Sequence, residues 1–239
     1  NRNPHSATDR THTHKLKPQT QSRHSAPSHV RPRLTSLTTP PGHFGTGPGL
    51  SMYYTQTQAL IKREGDKTGE EPKFLFVTGP GHGAPAILSQ LWAEGAITKF
   101  YPDYPTTKEG LEKFVKAFSW PGGFPSHINA ETPGSIHEGG ELGYALAVAY
   151  GSVFDNPDLV SVVVIGDGES ETGPTAGAWH SHKWLDPKES GAVLPILHVN
   201  GFKISERTIP GTMDATELAL LYSGYGYSVR IVDYESDGP

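Results

Sequence analysis

Two β-branched apolar runs, each ending in a short polar group, constrain this chain more than any other feature. Leu159-Val160-Ser161-Val162-Val163-Val164-Ile165 leads directly into Gly166-Asp167-Gly168-Glu169, and Ala192 to Val199 leads directly into Asn200-Gly201-Phe202. Continuous runs of this length and branching belong to strands buried on both faces of a parallel sheet. Each run therefore delivers its polar residues to a strand's C-terminal end, the edge at which open α/β sheets bind ligands. A carboxylate from one strand end and a carboxamide from the next suit Mg²⁺, a hard cation that takes oxygen ligands and shares them with phosphate. The flanking glycines let backbone approach phosphate closely. A Gly-Asp-Gly alone marks an ordinary turn; between a buried strand and a helix, with a strand-borne Asn200-Gly201 further on, it is much more specific.

The same periodicity orders the rest of the chain. Tyr53 to Arg63 reads as a helix, and Phe74-Leu75-Phe76-Val77 as a short buried strand ending at Thr78-Gly79-Pro80-Gly81-His82-Gly83. Helices are expected around 86–94 and over 110–118, with a Pro/Gly-rich loop at 120–135. A further helix is expected over 141–153, where an Ala-rich face can pack closely on a sheet. Strand 159–165, helix 174–185, strand 192–199, helix 216–223 and strand 228–232 complete the order. Strands alternating with helices predict an α/β fold with a doubly wound parallel sheet.

Composition narrows the chemistry. The chain has 239 residues, no cysteine and a formal charge of −5. Without cysteine there is no disulfide scaffold, thiol nucleophile or thiolate metal site. No apolar run approaches the roughly 20 residues that span a bilayer, and no secretory signal pattern is visible. The expected location is cytoplasmic. Residues 1–40 hold seven Lys/Arg (Arg2, Arg10, Lys15, Lys17, Arg23, Arg31, Arg33) against Asp9 alone, so the remaining residues carry a net −11. An acidic body argues against nucleic acid as a partner. The segment 1–41 is basic, rich in Ser, Thr, His and Pro and poor in apolar residues, and reads as a disordered low-complexity tail. Its five histidines are irregularly spaced and read as solvated.

Longer motifs bring a family into view. Gly166-Asp167-Gly168-Glu169-Ser170-Glu171-Thr172-Gly173-Pro174 with Trp179-His180-Ser181 resembles one phosphoketolase signature, and Glu138-Gly139-Gly140-Glu141-Leu142-Gly143-Tyr144 resembles the other. Pro121-Gly122-Gly123-Phe124-Pro125-Ser126-His127, Gly79-Pro80-Gly81-His82-Gly83 and Gly42-His43-Phe44-Gly45-Thr46 are similar to the same enzymes, in the same order and near the same spacings. The resemblance to the xylulose-5-phosphate/fructose-6-phosphate phosphoketolase family is nearly continuous from Gly42 to the last residues; Thr35 to Pro41 do not share it.

That resemblance implies a thiamine diphosphate (ThDP)-binding domain of the pyrophosphate type over 42–239, truncated at its C-terminus. It implies ThDP and Mg²⁺ as cofactors. Asp167, Asn200 and the backbone carbonyl of Phe202 become the metal ligands, and Gly140, Gly166, Asp167, Gly168, Glu169 and Asn200 the cofactor-binding set. His43, His82 and His127 become the catalytic residues. His82 would lie nearest the cofactor, with His43 and His127 on substrate hydroxyls and intermediates. The implied reaction is cleavage of a ketose phosphate, such as xylulose 5-phosphate, with inorganic phosphate to acetyl phosphate and an aldose phosphate. The implied assembly is a homodimer of the full-length protein. In that family the glutamate that activates the aminopyrimidine lies on a pyrimidine-binding domain of the partner, so residues 1–239 alone are expected to be inactive.

Other readings compete residue by residue. Each of His43, His82 and His127 alone would be a solvated loop histidine; three in Gly/Pro-rich turns suit proton transfer near neutral pH. His198, inside a strand, reads as a satisfied core histidine, and His180 and His182 are as easily structural. Glu138, Glu141, Glu169 and Glu171 could supply a glycosidase carboxylate pair, although Glu169 and Glu171 more naturally face a metal's outer shell or a subunit contact. Thr78 to Ala84 imitates a dinucleotide-binding turn, but lacks a ribose-binding acid at the usual distance and leaves the Asp167 and Asn200 pair unexplained. Another ThDP enzyme such as a transketolase, or a non-catalytic ThDP-binding module, would share the Mg²⁺ set; the 138–144 motif argues against transketolase.

Overall fold

A computed structural model describes residues 33–38, 43–69 and 72–233, with side chains from residue 49 onward except Thr68. These residues all lie in the unit that spans Arg31–Pro239. Their elements run β1 (Arg33–Thr38), α1 (His43–Thr68), β2 (Lys73–Thr78), α2 (Ala84–Ala93), α3 (Ala96–Phe100), α4 (Lys108–Ala117), α5 (Ala145–Val153), β3 (Leu159–Gly166), α6 (Asp167–Ser170), α7 (Gly173–Ala178), β4 (Ala192–Val199), α8 (Ala215–Tyr225) and β5 (Ser228–Asp233). The strands form one parallel sheet in the order β2-β3-β4-β1-β5.

Strand alternation sorts β3 between two cores. Val163 and Ile165 pack with Leu146, Ala149, Trp179 and Tyr222 from α5, the α7 end and α8. Val162 and Val164 point the other way, to Leu50, Tyr54, Ile87 and Leu91 from α1 and α2. Helices thus cover both faces, which is the doubly wound α/β fold that the apolar runs predict. In register, Ile165 lies beside Leu197 and Gly166 beside His198, so β3 and β4 finish at one edge.

Four expectations are corrected. Residues 33–38, assigned by composition to the tail, form β1 between β4 and β5. Arg-Leu-Thr-Ser-Leu-Thr is too polar to announce a central strand, but a slot with partners on both sides supplies backbone hydrogen bonds that a local pattern does not reveal. The rest of the proposed tail, 1–32 and 39–41, lies outside the described residues. Second, α1 reaches from His43 to Thr68, well beyond 53–63. Third, the helix expected from Glu141 starts only at Ala145. Gly140 and Gly143 hold φ of +100° and +107°, outside helical space, and the Gly143 and Ala145 N–H groups donate to the Glu169 carboxylate. Fourth, the helix expected at 174–185 breaks after Ala178, giving α7 and a 3-10 turn at Ser181–Trp184. Trp179 lies at that break, almost wholly buried against Tyr222, Tyr225 and Tyr227.

Candidate functional site

Asp167 is the first residue after β3 and opens α6, so its side chain sits where the chain turns away from the sheet edge. It is 2 % exposed. Its Oδ1 accepts from the Gly168 N–H (3.0 Å). Its Oδ2 accepts from the Gly201 N–H (2.8 Å) and from the Thr208 hydroxyl (2.7 Å). Burial pushes this carboxyl above its ordinary range, and the donors from Thr208, Gly201 and Gly168 pull it back. A carboxylate offers about four acceptor positions. Oδ2 takes two donors from the 201–208 loop and Oδ1 one from Gly168, and the Asp167 backbone N–H also acts on the carboxylate, so Oδ1 is the less engaged by the loop.

Asn200 follows β4 directly. Its side-chain oxygen accepts from the Phe202 N–H (2.9 Å), which fixes the amide orientation and leaves a second lone pair. Gly201 takes φ of +83°, which lets the loop double back so that its N–H reaches Asp167. The loop from 200 to 213 is held down again by Glu171, which receives Lys203 Nζ on one oxygen and the Ile209 N–H (2.7 Å) on the other. One carboxylate oxygen, one carboxamide oxygen and the Phe202 carbonyl nearby are hard oxygen donors. They fit Mg²⁺ that completes its shell with phosphate oxygens and water. No group of three or more His, Cys, Asp or Glu capable of holding a metal occurs among the described residues. A mixed set with a single carboxylate depends on the ligand's own oxygens.

Glu169 has another position. It is 2 % exposed, and its Oε1 accepts from the N–H groups of Gly143 (3.2 Å) and Ala145 (3.3 Å). Its Oε2 is buried with no hydrogen-bond partner and lies against Gly79, where a Cβ would come within 2.0 Å of it. Burial raises its pKa to about 6. Glu169 therefore ties the 139–145 turn to the end of β3 through Oε1, while Oε2 stays buried beside Gly79. Gly140 is likewise committed: its N–H donates to the Gly79 carbonyl (3.1 Å). At Gly81 a Cβ would stand 2.1 Å from the Gly139 oxygen. These glycines are required by loop packing inside the protein, which also removes the need for a dinucleotide to explain them.

The three candidate histidines are distributed as follows. His82 is half-buried in the 3-10 turn Gly81–Gly83 after β2. That turn receives the Ile128 N–H on the Gly81 carbonyl (3.2 Å), which brings the 126–128 loop beside it. His127 is exposed, with Nδ1 3.0 Å from the Ser126 hydroxyl, and its ring lies against Gly140. His43 opens α1, contrary to its expected loop position, and its side chain lies outside the described residues. His198 is 1 % exposed on β4, with Nδ1 3.5 Å from the Tyr53 hydroxyl on α1. Burial first, and then the neighbouring charge of His82, lowers its pKa to about 4. It is a buried histidine, as the sequence suggests, but one that faces His82. His182 hydrogen-bonds the Tyr225 carbonyl (2.9 Å) and His180 packs edge-on to Tyr225, so both are structural.

Residues 34–238 match the family described as the XFP N-terminal domain. The chain belongs to the phosphoketolase family. It is 59 % identical over 196 residues to a probable phosphoketolase of Schizosaccharomyces pombe, covering 82 % of this chain and 23 % of that protein. It is 49 % identical over 211 residues to a probable phosphoketolase of Chlorobaculum tepidum, covering 88 % and 25 %. It is 53 % identical over 201 residues to one of Streptomyces coelicolor, covering 84 % and 24 %. The chain thus spans about a quarter of the length of these relatives.

The phosphoketolase match begins at residue 34, ahead of the motifs that start at Gly42, and so takes in most of β1. Two side-chain pairings escape any reading of the sequence. Thr208 reaches Asp167 across 41 residues, and Glu171 clasps Ile209 across 38. Neither pairing has a local signature. A cavity of about 390 Å³, lined by Tyr54, Phe74, Phe76, Leu91 and Phe100 among others, opens elsewhere, and none of the predicted site residues lines it.

Proposed function

We propose that this chain is the diphosphate- and Mg²⁺-binding part of a ThDP-dependent phosphoketolase, an aldehyde-lyase. Its reaction is cleavage of a ketose phosphate such as xylulose 5-phosphate, with inorganic phosphate, to acetyl phosphate and an aldose phosphate. One observation carries the reading: adjacent strands β3 and β4 end in Asp167 and in Asn200, and the Gly201 N–H next to Asn200 bonds the Asp167 carboxylate, which brings both oxygen donors to one sheet edge. Asp167, Asn200 and the Phe202 carbonyl would hold Mg²⁺, and the Gly166–Gly168 turn would lie along the diphosphate.

ThDP, when bound, supplies the electron sink for breaking the carbon–carbon bond beside the ketose carbonyl. The chain orients the reactants and moves protons. In this reading His82 and His127, on two touching loops, would donate to substrate hydroxyls or phosphate oxygens and exchange protons with them. His198, buried with its pKa lowered to about 4, stays neutral and does not compete for the proton. Turnover belongs to a longer protein in this reading. The family places the aminopyrimidine-activating glutamate on a pyrimidine-binding domain of a dimer partner, and this chain spans about a quarter of its relatives' length. The setting is cytoplasmic in this reading; among the described residues no helix is long and apolar enough to cross a membrane.

Ligand-induced stabilisation tests the metal assignment. At a hundred times the dissociation constant, a ligand that binds only the folded chain adds about 2.7 kcal/mol, which raises Tm by roughly 5–10 °C for a domain of this size. ThDP with Mg²⁺ should produce that rise in the wild-type chain and none in Asp167→Ala, with Asn200→Ala between them. An Asp167→Ala chain that responds like wild type would remove the basis for this reading.

A further inference from the structure

The loop that follows β4 is anchored by two carboxylates from the α6 turn, and they do different work. Glu171 holds the loop through Lys203 and the Ile209 N–H and has no part in the ligand set. Asp167 holds it through Gly201 and Thr208 and is itself a ligand candidate. Thr208 is 0 % exposed. Its hydroxyl has one proton, and that proton goes to Asp167 Oδ2 at 2.7 Å. The Gly211 N–H donates into the same hydroxyl oxygen at 3.0 Å, which fixes the direction in which the hydroxyl can give. Together with Gly201, Thr208 gives Oδ2 two loop donors, against the single Gly168 N–H from the α6 turn on Oδ1, so the loop engages Oδ2 and leaves Oδ1 the freer oxygen.

We propose that Thr208 is a positioning residue for the metal ligand: its hydroxyl decides which Asp167 oxygen meets the cation and couples that choice to the loop bearing Asn200 and Phe202. The inference rests on reading Asp167 and Asn200 as Mg²⁺ ligands. Without the hydroxyl, Oδ2 keeps only the Gly201 donor. The carboxylate then turns more freely about its Cβ–Cγ bond, and its two oxygens compete for the cation. The Glu171 anchor still holds the loop, so the fold survives while ligand alignment is lost. Outer-shell partners of this kind typically contribute about 10–100-fold to metal affinity.

The test uses the 239-residue chain at fixed ThDP. Mg²⁺ is titrated while ThDP binding is followed by calorimetry, and the Tm of each metal-free protein is measured alongside. Thr208→Val should raise the Mg²⁺ midpoint by about tenfold or more. Thr208→Ser, which restores the donor, should stay within about threefold of wild type. A residue that merely packs would lower the metal-free Tm and leave the midpoint where it was; that result, with Asp167→Ala still abolishing the Mg²⁺ dependence, overturns the role of Thr208 alone. If Thr208→Val does not fold, Thr208→Ala takes its place under the same criterion. A wild-type chain without Mg²⁺-dependent ThDP binding, or an Asp167→Ala chain indistinguishable from it, overturns the ligand reading and this inference with it.

Discussion

Replacing Glu169 by glutamine should stabilise the metal-free chain at neutral pH, although it removes a buried charge that accepts two backbone hydrogen bonds. The Oε1 bonds to Gly143 and Ala145 are 3.2 and 3.3 Å long, and Oε2 has no partner. Burial is the largest influence on this carboxyl and raises its pKa from 4.5 to about 6. Below pH 4.5 the group is protonated in the folded and the unfolded chain, and its contribution to stability is fully present. Between 4.5 and 6 the folded chain holds the proton more tightly, so stability falls as pH rises, and above 6 the loss is complete. That gap amounts to about 2 kcal/mol. Glutamine keeps an acceptor for Gly143 and Ala145 and cannot ionise. At pH 5 or below, Glu169→Gln should lie within about 1 kcal/mol of wild type, the scale of one neutral hydrogen bond. At pH 7.5 it should be more stable by about 2 kcal/mol, or roughly 4–8 °C in Tm. The assay is thermal and urea unfolding in EDTA across pH 4.5–8, read as variant minus wild type so that His198 and Asp167, common to both, cancel. A variant-minus-wild-type difference that is no larger at pH 7.5 than at pH 5, or that turns negative there, would show that the charged hydrogen bonds outweigh desolvation, and would refute the reasoning.

Tyr227→Phe should cost about 1–3 kcal/mol, because the hydroxyl lost is bonded to the Tyr150 hydroxyl (2.8 Å) and donates to the Trp179 carbonyl (3.0 Å) inside the core; a urea midpoint unchanged within error would contradict that network. Gly81→Ala should destabilise by about 1–3 kcal/mol through overpacking, since its Cβ would meet the Gly139 carbonyl oxygen at 2.1 Å and neither partner is a flexible side chain. Amide exchange should show the damage at 79–83 and 139–145, and uniform protection there would speak against it.

Much of this protein was legible because its signals are local. The β3 and β4 runs are long and rich in branched apolar residues, interrupted only by Ser161, Pro195 and His198, so strand type, parallel pairing and the shared edge follow from the pattern. The glycine-bracketed Asp167 and the strand-ending Asn200 then mark that edge. Helix limits were less legible. The chain from Glu141 to Tyr144 has helix-compatible residues, but Gly143 holds a positive φ and the N–H groups of Gly143 and Ala145 go to Glu169, so the helix waits until Ala145. Near Trp179 the need to bury a large ring among Tyr222, Tyr225 and Tyr227 breaks a helix that composition alone would continue.

What only the tertiary structure decided is which groups answer one another across long separations. The sequence shows a polar hexapeptide at 33–38; the sheet makes it a strand because β4 and β5 leave donors and acceptors facing the same gap. The sequence shows four glutamates around the two signatures; folding turns Glu169 Oε1 to backbone and Glu171 to a loop, and binds Asp167 Oδ2 to the 201–208 loop. The residue types capable of the chemistry are written in the chain, because charge and hydrogen-bonding capacity belong to side chains. Whether a given oxygen is free or occupied depends on donors 30 to 40 residues away such as Gly201 and Thr208, and that only the packed loop determines.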